Sequence, residues 1–249
     1  MTLNFLIAPD FAPERFAGWH ILNTALQKRA GIHLHLLMPA DAREQARLIA
    51  EGQVDLVYAN PFDAAAMIRD AGFVAFARPR GKPDEMVIAT ARESHVSHLE
   101  ALSPGCRIAT TDNKDVRLIG LRLLEPADLK DEDIRWVHAD NYQATARMVI
   151  RGEVEAGFFL ADAFDGLSRL TLGQLRPLME SAIADISHVL IANPRMASEL
   201  PAVAGALLSI GADAKGQEVL DALGLPQGFE PMTAEDAEFM VDLMDTLLD

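Results

Sequence analysis

The chain has 249 residues, enough for one large domain or two lobes of ordinary size, and half of them are hydrophobic, so a folded globule with a sizeable core is expected. Lys and Arg number 22 against 37 Asp and Glu, a net charge of −15, which opposes binding to nucleic acid or to an anionic membrane. A small anion is not excluded, because it responds to local donors rather than to total charge. Part of the acidic excess lies at the end, where residues 230–249 carry seven carboxylates and no Lys or Arg. The single cysteine, Cys106, excludes an internal disulfide and a CxxC zinc site and reads as a small strand-end residue. Met1-Thr2-Leu3-Asn4 runs directly into a strand with no basic n-region or signal-type apolar run, and no segment approaches the roughly 20 apolar residues of a membrane span. As written, the chain reads as cytoplasmic, or as periplasmic if a leader has been removed.

Leu3 to Ala8 is a short apolar run stopped by Pro9-Asp10, a strand and a turn. Phe16, Trp19, Leu22 and Leu26 recur at spacings of three and four, which predicts a helix over 13–30 ended by Gly31. Residues 32–37 alternate as a half-buried strand. Asp41 then caps a helix to residue 50, and Gly52 closes it. A strand at 54–58 precedes a helix opened by Pro61, and 73–77 is the next strand. A second cycle follows: a strand at 85–90, a helix near 97–102, a strand at 107–110 and a helix at about 114–124. A strand at 134–138, a helix at 141–151, a strand at 154–160 and a helix near 162–171 come next. A return strand spans 187–192, and 195–249 reads as helical. This alternation predicts an α/β fold with mostly parallel sheets and helices on both faces.

Gly52-Gln53-Val54-Asp55-Leu56-Val57-Tyr58-Ala59-Asn60-Pro61 recurs in altered form from Gly152 to Asp162. Each copy follows an amphipathic helix and reads as a turn, a buried strand and polar residues at the strand's carboxyl end, where open α/β sheets bind ligands. Two such units predict two similar lobes with a cleft between them. No Gly/Ser-rich linker divides the chain, so strands near 86–92 and 187–193 are expected to cross between the lobes. The first lobe is then discontinuous, residues 1–88 plus 190–249, with 89–189 inserted as the second, and the crossings form a hinge.

These residues resemble the substrate-binding proteins of phosphate, phosphite and phosphonate ABC transporters, which have the two-lobe type 2 periplasmic-binding fold. The resemblance runs nearly end to end: Ile7-Ala8-Pro9-Asp10, Gly52 to Pro61, Val87 to Thr90, Arg107-Ile108-Ala109, Gly152 to Asp162, and Gly216 to Gly224. It implies a non-catalytic solute-binding protein that closes on a small polar or anionic ligand and hands it to an ABC permease. Three positions depart from the family. A Ser-Thr-Ser turn that holds the anion is replaced by Asp112-Asn113-Lys114-Asp115, where a helix start and Lys114 still suit an anion. Asp84 stands where a tyrosine usually precedes the crossing strand, and Tyr142 where a histidine is common.

The expected ligand-binding set is Phe11, Tyr58, Asn60, Asp84, Asn113, Lys114, Asp115, Tyr142 and Asp162. Phe11 is expected as a lid or wall residue, and plainer roles are open to several others: core packing for Tyr58, and helix capping for Asn60, Asp112, Asp115 and Asp162. Arg78 and Arg80 read as loop arginines, solvated or forked on an anion. His33 with His35, and His95 with His98, lack a third ligand at motif spacing, so no metal site is expected. No Walker A, GxGxxG, GxSxG or HExxH motif is present, and no cofactor is implied. Two other readings stay open: a cytosolic sensor or scavenger working through a signalling partner, and an enzyme on the same fold, of the menaquinone or thiamin-pyrimidine kind.

Overall fold

The computed structural model describes residues 2–9, 15–183 and 186–248. The chain divides into two compact units: Met1–Pro83 with Ser187–Thr246, and Asp84–Ile186 with Leu247–Asp249. In the first, β1 (Thr2–Ile7), α1 (Phe16–Ala30), β2 (His33–Leu37), α2 (Ala42–Ala50), β3 (Leu56–Ala59), α3 (Pro61–Ala71) and β4 (Val74–Pro79) come in order. The second holds β5 (Met86–Ala91), β6 (Arg107–Thr110), α4 (Lys114–Leu123), β7 (Arg135–His138), α5 (Tyr142–Ile150), β8 (Ala156–Leu160), α6 (Ala161–Asp165), α7 (Arg169–Leu172) and β9 (Leu175–Glu180). The chain then returns to the first unit with β10 (Val189–Ala192), α8 (Leu200–Leu208), α9 (Ala214–Leu223), β11 (Phe229–Pro231) and α10 (Ala234–Leu248).

The two sheets follow one plan. The first runs β11-β4-β10-β3-β1-β2 and the second β9-β5-β8-β6-β7, so with β11 set aside each reads fourth, returning, third, first, second. β1 pairs in parallel with β2 and β3, and β6 with β7 and β8. β10 and β5 run antiparallel to both of their neighbours, which makes both sheets mixed. Helices flank them: Trp19, Leu22 and Leu26 of α1 with α8 and α9 on one face of the first sheet, and Leu48, Met67 and Met240 of α2, α3 and α10 on the other. In the second unit Phe159 faces Val149 and Phe164, while its neighbour Phe158 packs on the α4 side. A Cβ on Gly120 of α4 would stand 2.2 Å from the Phe158 ring, so that approach needs glycine.

Several boundaries differ from the sequence reading. Phe16 is exposed at 52%, and the buried stripe of α1 is Gly18, Trp19, Leu22, Asn23 and Leu26. The helix expected at 162–171 is broken at Gly166 into α6 and α7, because Ser168 caps a fresh start by accepting the Thr171 amide at 3.1 Å. Residues 99–101 make only a single 3₁₀ turn. β11 interrupts the C-terminal helices, and β9 follows α7.

The repeated segment shows why the sequence recurs. After α2 the Gly52 amide bonds the Ile49 carbonyl and the Gln53 amide bonds the Leu48 carbonyl; after α5 Gly152 and Glu153 bond Val149 and Met148 in the same way. Gly52 and Gly152 sit at φ 66° and 69°, the left-handed region that favours glycine. Three residues on, an acid pins the new strand to its neighbour. The Asp55 amide donates to the Asn4 carbonyl at 3.0 Å while its carboxylate accepts the Asn4 amide at 2.7 Å. Glu155 does the same with Arg107, at 2.9 and 2.6 Å. Each acid also holds a guanidinium: Arg195 Nε lies 2.5 Å from Asp55, and Arg107 Nη2 lies 2.7 Å from Glu155.

The two latches differ in burial, with the side chain of Asp55 5% exposed and that of Glu155 29%. Asp55→Asn should therefore lower the unfolding free energy by about 1–3 kcal/mol, whereas Glu155→Gln should cost less than about 1 kcal/mol, read from urea midpoints at constant m-value. Hydrogen bonds from Arg107 hold the Glu155 carboxyl below its ordinary value. The folded value being the lower one, its contribution is complete above the unfolded carboxyl value of about 4.3 and is lost as pH falls through the folded value. Urea titrations at successive pH values below 5 should show a shallower acid loss in Glu155→Gln than in the wild type; equal slopes would remove Glu155 from the acid response.

Candidate functional site

In the first unit, β1 and β3 deliver their carboxyl ends side by side, with Ile7 registered against Tyr58 and the Ala8 amide bonded to the Tyr58 carbonyl at 2.9 Å. The Tyr58 ring is buried. Its centroid lies 4.6 Å from that of Trp19 and 5.0 Å from that of His188, on which it stacks at 23°. His188 is 8% exposed and is a residue the sequence reading did not single out. The sheet explains its place: Leu190 pairs with Tyr58, and two residues back along the chain returns to the same face. Asn60 caps α3, its Oδ1 accepting the Asp63 amide at 2.8 Å and its Nδ2 donating to the Asp63 carboxylate at 3.0 Å. Phe11 lies outside the described residues. Arg78 belongs to β4 rather than to a loop, and its Nε lies 2.7 Å from Glu230, which Arg80 also faces at 3.8 Å.

In the second unit the corresponding strand ends are those of β6 and β8. β6 ends at the buried Thr110, and the loop to α4 is capped by Asn113, whose Oδ1 accepts the Val116 amide at 3.2 Å. The expectation that Asp112 or Asp115 caps this helix is corrected here. Asp112 stands one residue too early, and its exposed carboxylate faces His138 Nδ1 at 3.4 Å. Asp115 is already within the first turn and is 3% exposed. Lys114 occupies the first helical position with its side chain in solvent. The helix start thus carries a neutral cap, and its leading amides, which have no intrahelical acceptors, are not screened by a capping carboxylate.

α5 begins in the same manner, with Asn141 Oδ1 accepting the Ala144 amide at 2.9 Å. Tyr142 is its first residue; the ring centroid lies 6.3 Å from Phe159 and the hydroxyl is buried. Asp162 is exposed in the first turn of α6 and does not cap it, since Leu160 precedes the helix without a side-chain bond. Asp84 is buried at the edge of this unit, its amide donating to the Ile186 carbonyl at 2.7 Å. The structure therefore brings Tyr58 and Asn60 to the strand ends of one sheet, and Asn113, Lys114, Asp115, Tyr142 and Asp162 to the strand ends and following helix starts of the other.

Cys106 lies away from these groups, at the start of β6, and burial pushes its thiol up, which makes it a poor nucleophile. No cluster of three or more His, Cys, Asp or Glu suited to a metal ion occurs among the described residues. No helix among them is long and apolar enough to cross a membrane.

The family model of periplasmic substrate-binding proteins of phosphonate ABC transporters matches residues 5–237. No curated protein matches the sequence. Among solved structures, the binding-protein component of an ABC phosphonate transporter from Pseudomonas aeruginosa is 15% identical, with a TM-score of 0.78 over 100% of this chain and 89% of that one. PhnD1 of Prochlorococcus marinus, in complex with methylphosphonate, is 13% identical with a TM-score of 0.82 over 99% and 98%. The periplasmic aliphatic sulphonate-binding protein SsuA of Escherichia coli is 17% identical with a TM-score of 0.68 over 99% and 91%. At these identities the structures speak for the fold alone, and the family model carries the assignment. With 233 consecutive positions matched, two sheets of one plan and polar groups gathered at their strand ends, the chain belongs to the family of phosphonate ABC-transporter substrate-binding proteins.

Proposed function

We propose that this chain is a non-catalytic binding protein that captures a small tetrahedral oxyanion, a phosphonate or a close analogue, and delivers it outside the cytoplasm to an ABC permease. The observation that carries the reading is the start of α4, where the cap is the neutral Asn113 and the first residue is the solvent-facing Lys114. Amides at a helix N-terminus, the positive end of the helix dipole and a lysine form an anion receptor that works by short-range fields. The net charge of −15 steers polyanions away but acts weakly on a small ligand once that ligand is in contact with such donors. The same charge argues against a nucleic-acid partner.

At the strand ends of the first unit, considered by itself, lies the ring cluster of Trp19, Tyr58 and His188. Phenol and imidazole groups can donate to anion oxygens, and at 7% and 8% exposure Tyr58 and His188 present only their edges for such a contact. The departure from the family's hydroxyl-rich turn fits a ligand with fewer acceptor sites than inorganic phosphate, since Thr110 and Thr111 are the hydroxyl residues of this loop and the Thr111 hydroxyl accepts the Asn113 amide at 3.4 Å. A non-catalytic role is supported by the family and by the poor nucleophilicity of the one thiol.

Methylphosphonate should raise the melting temperature in proportion to the logarithm of its concentration, as a ligand bound only by the native state must. Lys114→Gln should weaken that binding by roughly 1–2 kcal/mol, the usual worth of a charge-assisted contact, without lowering the melting temperature of the unliganded protein. In the first unit the informative variant is Tyr58→Phe, because Tyr58→Ala would open a cavity in the core and unfold the protein for reasons unrelated to the ligand. Calorimetric titration of Tyr58→Phe should show about a five- to tenfold weaker affinity. Unchanged affinity in both variants would remove these residues from the site, and no response of the wild type to methylphosphonate, methanesulfonate, phosphate or phosphite would remove the oxyanion reading.

A further inference from the structure

The parallel strands β6, β7 and β8 gather their amino ends at one edge of the second sheet, opposite the strand ends of the candidate site. There the segment between β5 and β6 crosses the strand starts, held down by the buried Val96, Leu99 and Leu102. Between this segment and the strand starts lies a cavity of about 280 Å³. Its polar lining includes His95, Arg107, Arg135 and Glu155, and Val96, Leu102 and Cys106 are among its apolar walls. The Cys106 thiol, pushed up by burial, counts here as a small hydrophobic wall group and not as a nucleophile. All of these residues belong to the second unit.

The donors left open in this lining decide what fits it. Glu155 takes Nε and Nη2 of Arg107, at 3.3 and 2.7 Å, and leaves Nη1 of the same guanidinium without an acceptor among the described residues. Arg135 pairs its backbone with β6, but its guanidinium has no ion pair or hydrogen bond among the described residues, and neither has the His95 ring. Two guanidinium groups against one carboxylate leave a local positive charge in a chain whose net charge is −15. Asp133 is close enough to act on Cys106, but its carboxylate accepts the Lys130 amide and does not line the cavity. Open guanidinium forks suit a planar carboxylate or a phosphate. The single surplus charge beside Glu155 matches a monoanion, and the apolar walls match a compact hydrocarbon body. We propose that this cavity is a second small-molecule site, which takes a monocarboxylate of the size of benzoate on Arg135 and on Nη1 of Arg107. An acid bound there shares Arg107 with Glu155 and so rests on the latch that fixes the start of β8. Both arginines are exposed, so solvent screens the contact and the expected affinity is millimolar.

The test is a titration of the isotope-labelled full chain with sodium benzoate, followed by amide chemical shifts. Amides of residues 102–107 and of Arg135 should move together and saturate, while those of 113–116 at the start of α4 should stay. Benzamide, the neutral isostere, should move none of them. Arg135→Gln should weaken the binding by about tenfold, and Ser103→Trp, which sets an indole in the cavity, should abolish it. Ser103 and Arg135 are exposed, so both variants should keep the wild-type melting temperature and its rise with methylphosphonate. If Ser103→Trp folds poorly, Arg135→Gln decides the matter. No shift in the wild type up to about 20 mM benzoate, or equal binding in Arg135→Gln, overturns the site. Shifts confined to 113–116 assign benzoate to the receptor at α4 and overturn it as well. Tighter binding of inorganic phosphate at the same amides overturns the carboxylate as the ligand class. Failure of methylphosphonate to bind would strike the oxyanion reading alone, because the benzoate titration reads a different set of amides.

Discussion

The acid that follows each Gly-x-Val turn is the constraint on which both units depend. A β-strand of four residues has few ladder hydrogen bonds with which to fix its register, and a slip of one residue would exchange its two faces. Asp55 and Glu155 fix the register at the residue just before the strand, each by a reciprocal pair of bonds to the backbone of one residue on the neighbouring strand. The strand then has one way to continue. Leu56 and Tyr58 go to one core and Val57 to the other, and in the second unit Phe158 and Phe159 are parted in the same manner. The guanidinium of Arg195 ties this start to the end of β10 as well, with contacts to the Gly52 and Val54 carbonyls at 3.1 and 3.0 Å.

This division of labour along a short strand explains where the chemistry lies. The amino end of β3 is taken up by the latch, so the carboxyl end is left to present polar groups. The register residue Asp55 and Tyr58, the residue proposed to meet the ligand, are separated by only three positions. Glu155 precedes the Leu160–Asp162 segment in the same order. A substitution at either acid would shift the strand end and its following helix together, so an effect on binding from that position would be positional rather than a loss of contact.

What could be read from the sequence followed the strength of local signals. The turn glycines, the cap at Asp41, Pro61 at the first position of α3 and the recurrence of the Gly-x-Val-acid unit are encoded within ten residues and were legible as such. β9 and β11 were not. β9 contains Arg176, Pro177 and Glu180, is half exposed and pairs only with β5, and β11 has three residues ending in Pro231. Edge strands tolerate proline and need little hydrophobic pattern, so neither carries the signal of a central strand. At the site, strand ends and helix starts were placed by pattern, but the choice of cap in Asp112-Asn113-Lys114-Asp115 was not. All but one of those residues can accept a hydrogen bond, and which one caps depends on where the backbone turns helical. The cluster of Trp19, Tyr58 and His188 joins positions up to 169 residues apart, brought together by the pairing of β3 with β10 and the packing of α1 on that sheet.

The charge of the chain bears on function only after its acids are sorted by what they hold. Asp41, Asp213 and Asp236 accept backbone amides at helix starts, where hydrogen bonds keep the last two carboxyls below their ordinary value. Asp55, Glu155, Glu230, Asp131 and Asp245 are matched to arginines. A carboxylate with a guanidinium or several amides around it projects little field beyond its own neighbourhood. The neutral caps Asn113 and Asn141 leave two helix starts without a charged acceptor in the capping position. A net charge of −15 is therefore compatible with the oxyanion receptor proposed above. What matters for a small ligand is the pattern of donors within a few ångströms, and the proposed receptor relies on the neutral cap Asn113 and on Lys114, set between Asp112 and the buried Asp115.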